Sequence, residues 1–345
     1  PAKLLKVLRE LVASSPQILV ENIEFDIFGF SRGAAAARHF ANEVLKANNG
    51  VLGASLDPKG PVFSPGFSLD TSLTINFIGV FDTVAAIGDP AQGHLSVGDD
   101  YNPGVNLYLP PGCARKVVHL TAADEHRHNF SLNRVDEAHE ELVLPGVHSN
   151  LGGGYPTLSY ERLVIGRPVF FLSNHYPLDG PARQQLIRSR AWRVRQQEEE
   201  RFRARGLPGD GHFERHEEVV GSRPNANVLL TLSITRSVRG ELSRVSLKVM
   251  HAKASNSGVP FDQINDTDKR FAIPPDLGPI AEKVFSACMA GHNPDLSDEE
   301  KRFLHSRYIH SSANWVPVKG FMANKPRHGF IRAVYPDEPQ SGYPV

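Results

Sequence analysis

Residues 25 to 40, FDIFGFSRGAAAARHF, turn a strand into a helix within five positions. The Ile- and Phe-bearing run before them suits a buried strand. The alanines after them suit a helix packed closely on a sheet. Between the two lie Gly29, Ser31 and Gly33, one serine flanked by two side-chain-free positions. A corner this tight holds its central residue in a strained backbone conformation, and both glycines are expected to be needed to avoid collision. A strand that feeds straight into a helix on its own sheet belongs to an α/β fold.

The flanking sequence repeats the theme. LTINFIGVFDT (73–83), ARKVVHLTAAD (114–124) and HEELVLPG (139–146) read as three further buried strands. Residues 3–13 have helical spacing and precede the first strand. Strand, helix, strand and crossover in this order indicate an α/β fold, a mostly parallel sheet with helices on both faces. After GGGYP the texture changes. Residues 181–205 carry eight arginines and three glutamates at helical spacing, 206–218 read as a mobile loop, VLLTLSIT (228–235) as a strand, and 243–258 as a helix stopped by Gly258. The last 55 residues, rich in Pro, His and Asn, are assigned no order. The expected division is a catalytic core over 1–158, a charged helical insertion suited to a membrane or partner over 159–225, and the remainder of the catalytic domain with less regular C-terminal segments over 226–345.

Composition narrows the function. Lys+Arg and Asp+Glu balance at 38 each, so no global field favours nucleic acid. Two cysteines, Cys113 and Cys288, lie far apart and form neither a disulfide framework nor a zinc knuckle. No apolar run of about 18 residues marks a membrane span. The start lacks a signal-peptide pattern and a methionine, and reads as a chain entered in mid-fold.

Glycines around a serine at a strand-to-helix corner describe a nucleophile elbow, with the serine hydroxyl lifted clear of the sheet and the Arg32 N–H placed to donate to an oxyanion. Such an elbow needs an acid and a base, in the order Ser, Asp/Glu, His. Asp82 follows the second strand at the sheet edge where α/β sites form, and His148 follows the fourth, beside a run of glycines (152–154) read as a pliable loop. The competing readings are a turn-capping Asp82 and a His148 with no role. Asp124, at the end of the third strand, is the alternative acid, and His305 and His310 are alternative bases. Asp124, Glu125, His126 and His128 resemble a metal cluster, but one short loop gives poor tetrahedral geometry, so no metal or other cofactor is assigned.

GFSRGAAAAR, FIGVFDTVAAIG, ADEHRHNF and PGVHSNLGGGY, in that order, resemble the DUF2235 α/β-hydrolases, which include the Tle1 class of type VI secretion phospholipase effectors. The similarity is dense over residues 22–156 and continues faintly in LSRVSLKVMHAKASNSGVPF. It implies ester hydrolysis on glycerophospholipids with Ser31 as nucleophile, Asp82 as acid and His148 as base. It also implies manufacture in a bacterial cytoplasm, secretion without a signal peptide, and action on the membrane of a competing cell from its periplasm. An immunity protein and secretion-apparatus components are the implied partners. The chain departs from the family at Phe81, where Trp is usual, and at Asn150, where Asp is common. The family's opening strand, whose DGT-like loop helps form the oxyanion hole, is not found upstream of residue 22.

The rival readings are an esterase or thioesterase for soluble acyl substrates, and an inactive hydrolase fold serving as an interaction module. For membrane docking the sequence offers apolar bulk in 164–178 (Phe170, Phe171, Leu172, Tyr176) and cationic charge at Arg183, Arg188, Arg190, Arg193 and Arg195.

Overall fold

A computed structural model describes residues 2–15, 18–85, 102, 104–172, 181–206, 210–220, 227–316 and 324–339. The chain opens with α1 (Ala2–Ser14), β1 (Ile23–Phe30), α2 (Arg32–Leu45) and β2 (Leu73–Phe81). β3 (Lys116–Ala122), β4 (Leu132–Asn133), β5 (Glu140–Leu144) and α3 (His148–Gly152) follow. β1, β2, β3 and β5 lie side by side in that order, every pair parallel. β2 and β3 are central and buried almost throughout, which is why they read as continuous apolar runs rather than alternating ones.

Next come β6 (Leu158–Val164), β7 (Val169–Leu172), α4 (Pro181–Ala204), β8 (His212–Val220) and β9 (Asn227–Arg239). The chain then runs through α5 (Ser243–Asn256), α6 (Gly278–Met289), α7 (Asp298–Arg307) and the short β10 (Val334–Tyr335). Each face of the parallel sheet carries its own core. On one, Ile27, Ile75, Ile78 and Val80 meet Ala34, Ala37 and Ala41 of α2 and Leu8 of α1. On the other, Phe77, Val118, Leu120 and Leu142 meet Val245 and Val249 of α5 and Val284 of α6. Helices on both faces of a mostly parallel sheet make this an α/β fold, as the sequence leads one to expect.

Beyond α3 the structure differs from expectation. The stretch read as a helical insertion is helix plus sheet: β6, β7 and β8 all pair antiparallel with β9. Residues 212–218, taken as part of a loop, lie inside β8. Among the described residues that strand has a partner on one side only, and its His, Glu and Arg side chains suit a sheet edge. Local charge hid a strand whose stability comes from β9. Arg195, counted among the docking cations, is 4% exposed and paired with Glu198 at 2.5 Å. Arg203 pairs with Glu199. The side chains of Phe170, Phe171, Leu172, Tyr176, Arg183, Arg188 and Arg190 lie outside the described residues.

Candidate active site

The corner after β1 has the conformation its sequence demands. Ser31 stands at φ 58° and ψ −125°, and its amide donates to Phe81 O at 3.0 Å across the β1–β2 ladder. Serine at a helix start ordinarily caps with its hydroxyl. Here Oγ makes no capping bond and is left free at a partly exposed position. Ala34 N and Ala35 N donate to Ser31 O at 3.0 and 3.2 Å, so the Arg32 and Gly33 amides are the donors left at the electropositive start of α2. The two glycines are not equivalent. A Cβ on Gly29 would lie 2.3 Å from Gly33 O, whereas one on Gly33 would meet nothing within 4 Å. The expectation that both avoid a collision holds for Gly29 alone.

Asp82 follows β2 directly, fully buried and at φ 44°. Its amide donates to Leu120 O at 2.7 Å, which fixes the backbone against β3. Oδ1 accepts from Ala122 N at 2.9 Å and from Arg332 Nη1 at 2.7 Å. Oδ2 accepts from Arg332 Nη2 at 2.8 Å and faces His148 Nδ1 at 2.5 Å. Burial pushes this carboxyl up, but Arg332 and His148 together outweigh it and hold it well below the ordinary carboxylate range. An ionised Asp82 can only accept, so Nδ1 carries the proton and His148 Nε2 presents a lone pair.

His148 is expected on a pliable loop and is instead the first residue of α3, 3% exposed. Its ring is lodged between two aromatics, Phe30 at 4.5 Å between centroids and Phe130 at 4.9 Å. Gly152 is what admits Phe30, since a Cβ there would lie 2.2 Å from the Phe30 ring. Phe30 precedes Ser31 in sequence, so the imidazole rests against the elbow itself. Among the described residues Ser31 Oγ makes no hydrogen bond, to His148 or to any other group. Such contacts commonly tighten only once substrate is bound.

The alternatives are placed elsewhere. Asp124 accepts from Gly146 N at 2.8 Å and pairs with His305 Nε2 at 3.1 Å, so its partner is not His148. His310 is 2% exposed, stacks flat on Tyr155 at 3.5 Å, and takes a hydrogen bond at Nδ1 from Asn150. Burial, with Arg236 nearby, depresses it to about 3, and it stands behind α3 rather than at the elbow. Glu125, buried, accepts from the backbone amides of His126, Arg127 and His148 and from both ends of the Arg127 fork. His126 Nδ1 is held by Asp124 O. Asp124, Glu125 and His126 are thus engaged with partners inside the protein.

Two contributors escape sequence reasoning. Glu125 was read only as a member of a metal-like run; it anchors the His148 backbone and, through Arg127 stacked on Phe130 at 3.2 Å, the ring beside the imidazole. Arg332 gave no signal at all, being one arginine in a Pro-rich tail.

Fold and site together define the class: a parallel α/β sheet with an elbow serine after β1 and a buried Asp–His pair drawn from the ends of β2 and β5. Residues 65–168, which include Asp82 and His148, match the family model "T6SS, Phospholipase effector Tle1-like, catalytic domain". The structure is similar to that of the Tle1 effector solved bound to the VgrG spike of the type VI secretion system. TM-score is 0.71 and identity 29%, over 93% of this chain and 69% of that one. An uncharacterized protein from Pseudomonas aeruginosa is aligned at TM-score 0.38 and 20% identity, over 88% of this chain and 33% of that one. No curated protein matches the sequence. The family model and the Tle1 structure point to the same group of proteins.

Proposed function

We propose that this chain hydrolyses acyl esters of glycerophospholipids by a phospholipase A-type reaction, with Ser31 as nucleophile, His148 as general base and Asp82 as the acid that orients it. The observation that carries the reading is an uncapped serine in a strained elbow, set beside a buried Asp–His pair.

His148 Nε2 takes the Ser31 proton as Oγ attacks the ester carbonyl, and the carbonyl oxygen becomes an oxyanion held by the Arg32 N–H at the start of α2. Collapse of the tetrahedral species breaks the ester C–O bond, and the proton on Nε2 passes to the departing lysolipid oxygen. Water then attacks the acyl-serine, gives its proton to Nε2, and Ser31 is regenerated as the fatty acid leaves. Asp82 stays ionised throughout and offsets the charge of the imidazolium.

The biological setting proposed is antibacterial. The chain is delivered by the secretion apparatus, plausible because the similar Tle1 effector is found on a VgrG spike. It acts on the target-cell membrane, and an immunity protein restrains it in the producer. No described helix is long and apolar enough to cross a membrane.

The test is turnover on phospholipid vesicles and on monomeric short-chain esters, with a serine-directed fluorophosphonate label. Wild type labels at Ser31 and prefers vesicles. Ser31→Ala loses both label and turnover while melting unchanged, and Asp82→Asn harms turnover more than Asp124→Asn does. Activity of Ser31→Ala within tenfold of wild type would exclude the nucleophile assigned here.

A further inference from the structure

The four acceptor directions of Asp82 are filled from three parts of the chain: Ala122 on β3, His148 on α3, and Arg332 twice. Only the Arg332 contact is a planar two-pronged fork, which fixes both the position and the plane of a carboxylate. A carboxylate free to rotate about its last bond would present Oδ2 to the imidazole only part of the time.

Arg332 is itself held. Its side chain is 8% exposed, and its third donor, Nε, reaches Phe130 O at 2.7 Å. Phe130 is the residue whose ring abuts His148. One guanidinium therefore bonds both the acid and the segment that walls the base. The backbone around it is pinned by β10, parallel to β4, through Leu132 N to Ala333 O and Arg134 N to Tyr335 O. Five residues further on, Asp337 makes a second buried ion pair with Arg38 of α2 at 2.6 Å, both side chains 1% exposed. On the other side Arg327 N donates to His126 O at 2.9 Å, so the segment is fastened both before and after Arg332 without help from Asp82. A contact needed only to tie down the tail would be redundant.

Resting on the Ser31–His148–Asp82 reading, we infer that Arg332 is a positioning residue of that triad, fixing the plane and ionised state of Asp82 so that Oδ2 faces His148 Nδ1. It touches neither substrate nor reacting atoms, and acts through the acid. Its charge also bears on pH behaviour. The groups facing Asp82 are Arg332 from the C-terminal segment and His148 from α3. Beyond them lie His119 of β3, whose Nε2 accepts from Thr83 N, and Glu125 with its Arg127 under His148. Of these, Arg332 supplies the largest opposition to the burial that drives the Asp82 carboxyl up. Removing it leaves burial less opposed, so Asp82 takes up a proton at higher pH.

The experiment compares Arg332→Ala and Arg332→Lys with wild type on a monomeric ester, measuring kcat, KM, pH profile and melting. A misplaced catalytic group can cost up to about a hundredfold in rate. The expectation for Arg332→Ala is therefore a kcat lower by roughly 10- to 100-fold, with KM within about threefold. Its acidic limb moves to higher pH, and added guanidinium restores part of kcat. Arg332→Lys keeps the charge without the fork, so its limb stays near that of wild type while kcat still falls. A folded Arg332→Ala with unchanged kcat or an unmoved limb overturns the inference. If Arg332→Ala does not fold, Arg332→Lys decides, and wild-type kcat there overturns it. Failure of the triad reading looks different: Ser31 of the wild type then takes up no fluorophosphonate, whatever stands at position 332.

Discussion

Adding one methyl group at either end of GFSRG should have opposite consequences. At Gly29 a Cβ would stand 2.3 Å from Gly33 O, 2.6 Å from Gly33 C and 2.7 Å from Ala34 Cα. All three are backbone atoms of the first turn of α2, so no side chain can swing aside. Relief requires α2 to withdraw from β1 by about 1 Å to restore ordinary contact. Overpacking of this kind costs about 1–3 kcal/mol. The same shift carries Ser31 away from the imidazole, and an ångström of misplacement costs about a hundredfold in rate. At Gly33 a Cβ meets nothing within 4 Å and no positive φ is required, so alanine is accommodated. Alanine's helix propensity there favours folding by up to about 1 kcal/mol. Urea denaturation and ester turnover of Gly29→Ala and Gly33→Ala test both limbs. Gly29→Ala should lose stability and nearly all activity, and Gly33→Ala should keep activity within about threefold and stability within about 1 kcal/mol. A Gly29→Ala protein as stable and active as wild type would refute the steric account of the elbow.

Two further outcomes follow from the residues behind α3. His310 is depressed from 6.5 to about 3 by burial and by Arg236, so below pH 6.5 the unfolded chain binds a proton that the folded chain refuses. Its contribution to stability is complete above pH 6.5 and declines as pH falls toward 3, by about 1.4 kcal/mol per unit. Urea midpoints of wild type should therefore drop more steeply between pH 7 and 5 than those of His310→Gln, and parallel curves would contradict the assignment. Asn150, fully buried, donates to Tyr308 O and His310 Nδ1 and accepts from Val147 N and His310 N. Asn150→Asp replaces both donors with a charged acceptor and should cost about 1–3 kcal/mol at pH 8. The loss should shrink at pH 5, where His310 can protonate against the new carboxylate; equal melting losses at both pH values would rule that pairing out.

What was legible in the sequence is what local pattern encodes. The buried runs of β2 and β3, the alanines of α2 and the Gly258 stop after α5 announce themselves over a few residues. Ser31, Asp82 and His148 stand where strand ends and chain order put them, and the structure brings the last two into contact. A signal was also there to be used in the C-terminal stretch left without order: Ser297 and Glu300 form the reciprocal capping box that starts α7. β8 was obscured because a strand with charges on both faces has no apolar period, and its pairing with β9 is a tertiary contact. The symmetry of the glycines misled because sequence shows which residues are small but not which atoms approach them. Arg332 could not be found locally at all, since its meaning depends on a partner hundreds of positions upstream.

That separation has a consequence in time. Asp82 and Arg332 are 250 residues apart. At translation rates of about 5–20 residues per second, the acid leaves the ribosome roughly 12–50 s before the arginine that completes its hydrogen bonding. Ser31 and His148 are also made well before Arg332. From the emergence of His148 until that of Arg332, a nascent chain holds Ser31, Asp82 and His148 while the Asp82 carboxylate still lacks its strongest counter-charge. Arg332 is made after all three, so the hydrogen bonding of Asp82 is completed only once the segment that carries Arg332 has been synthesised.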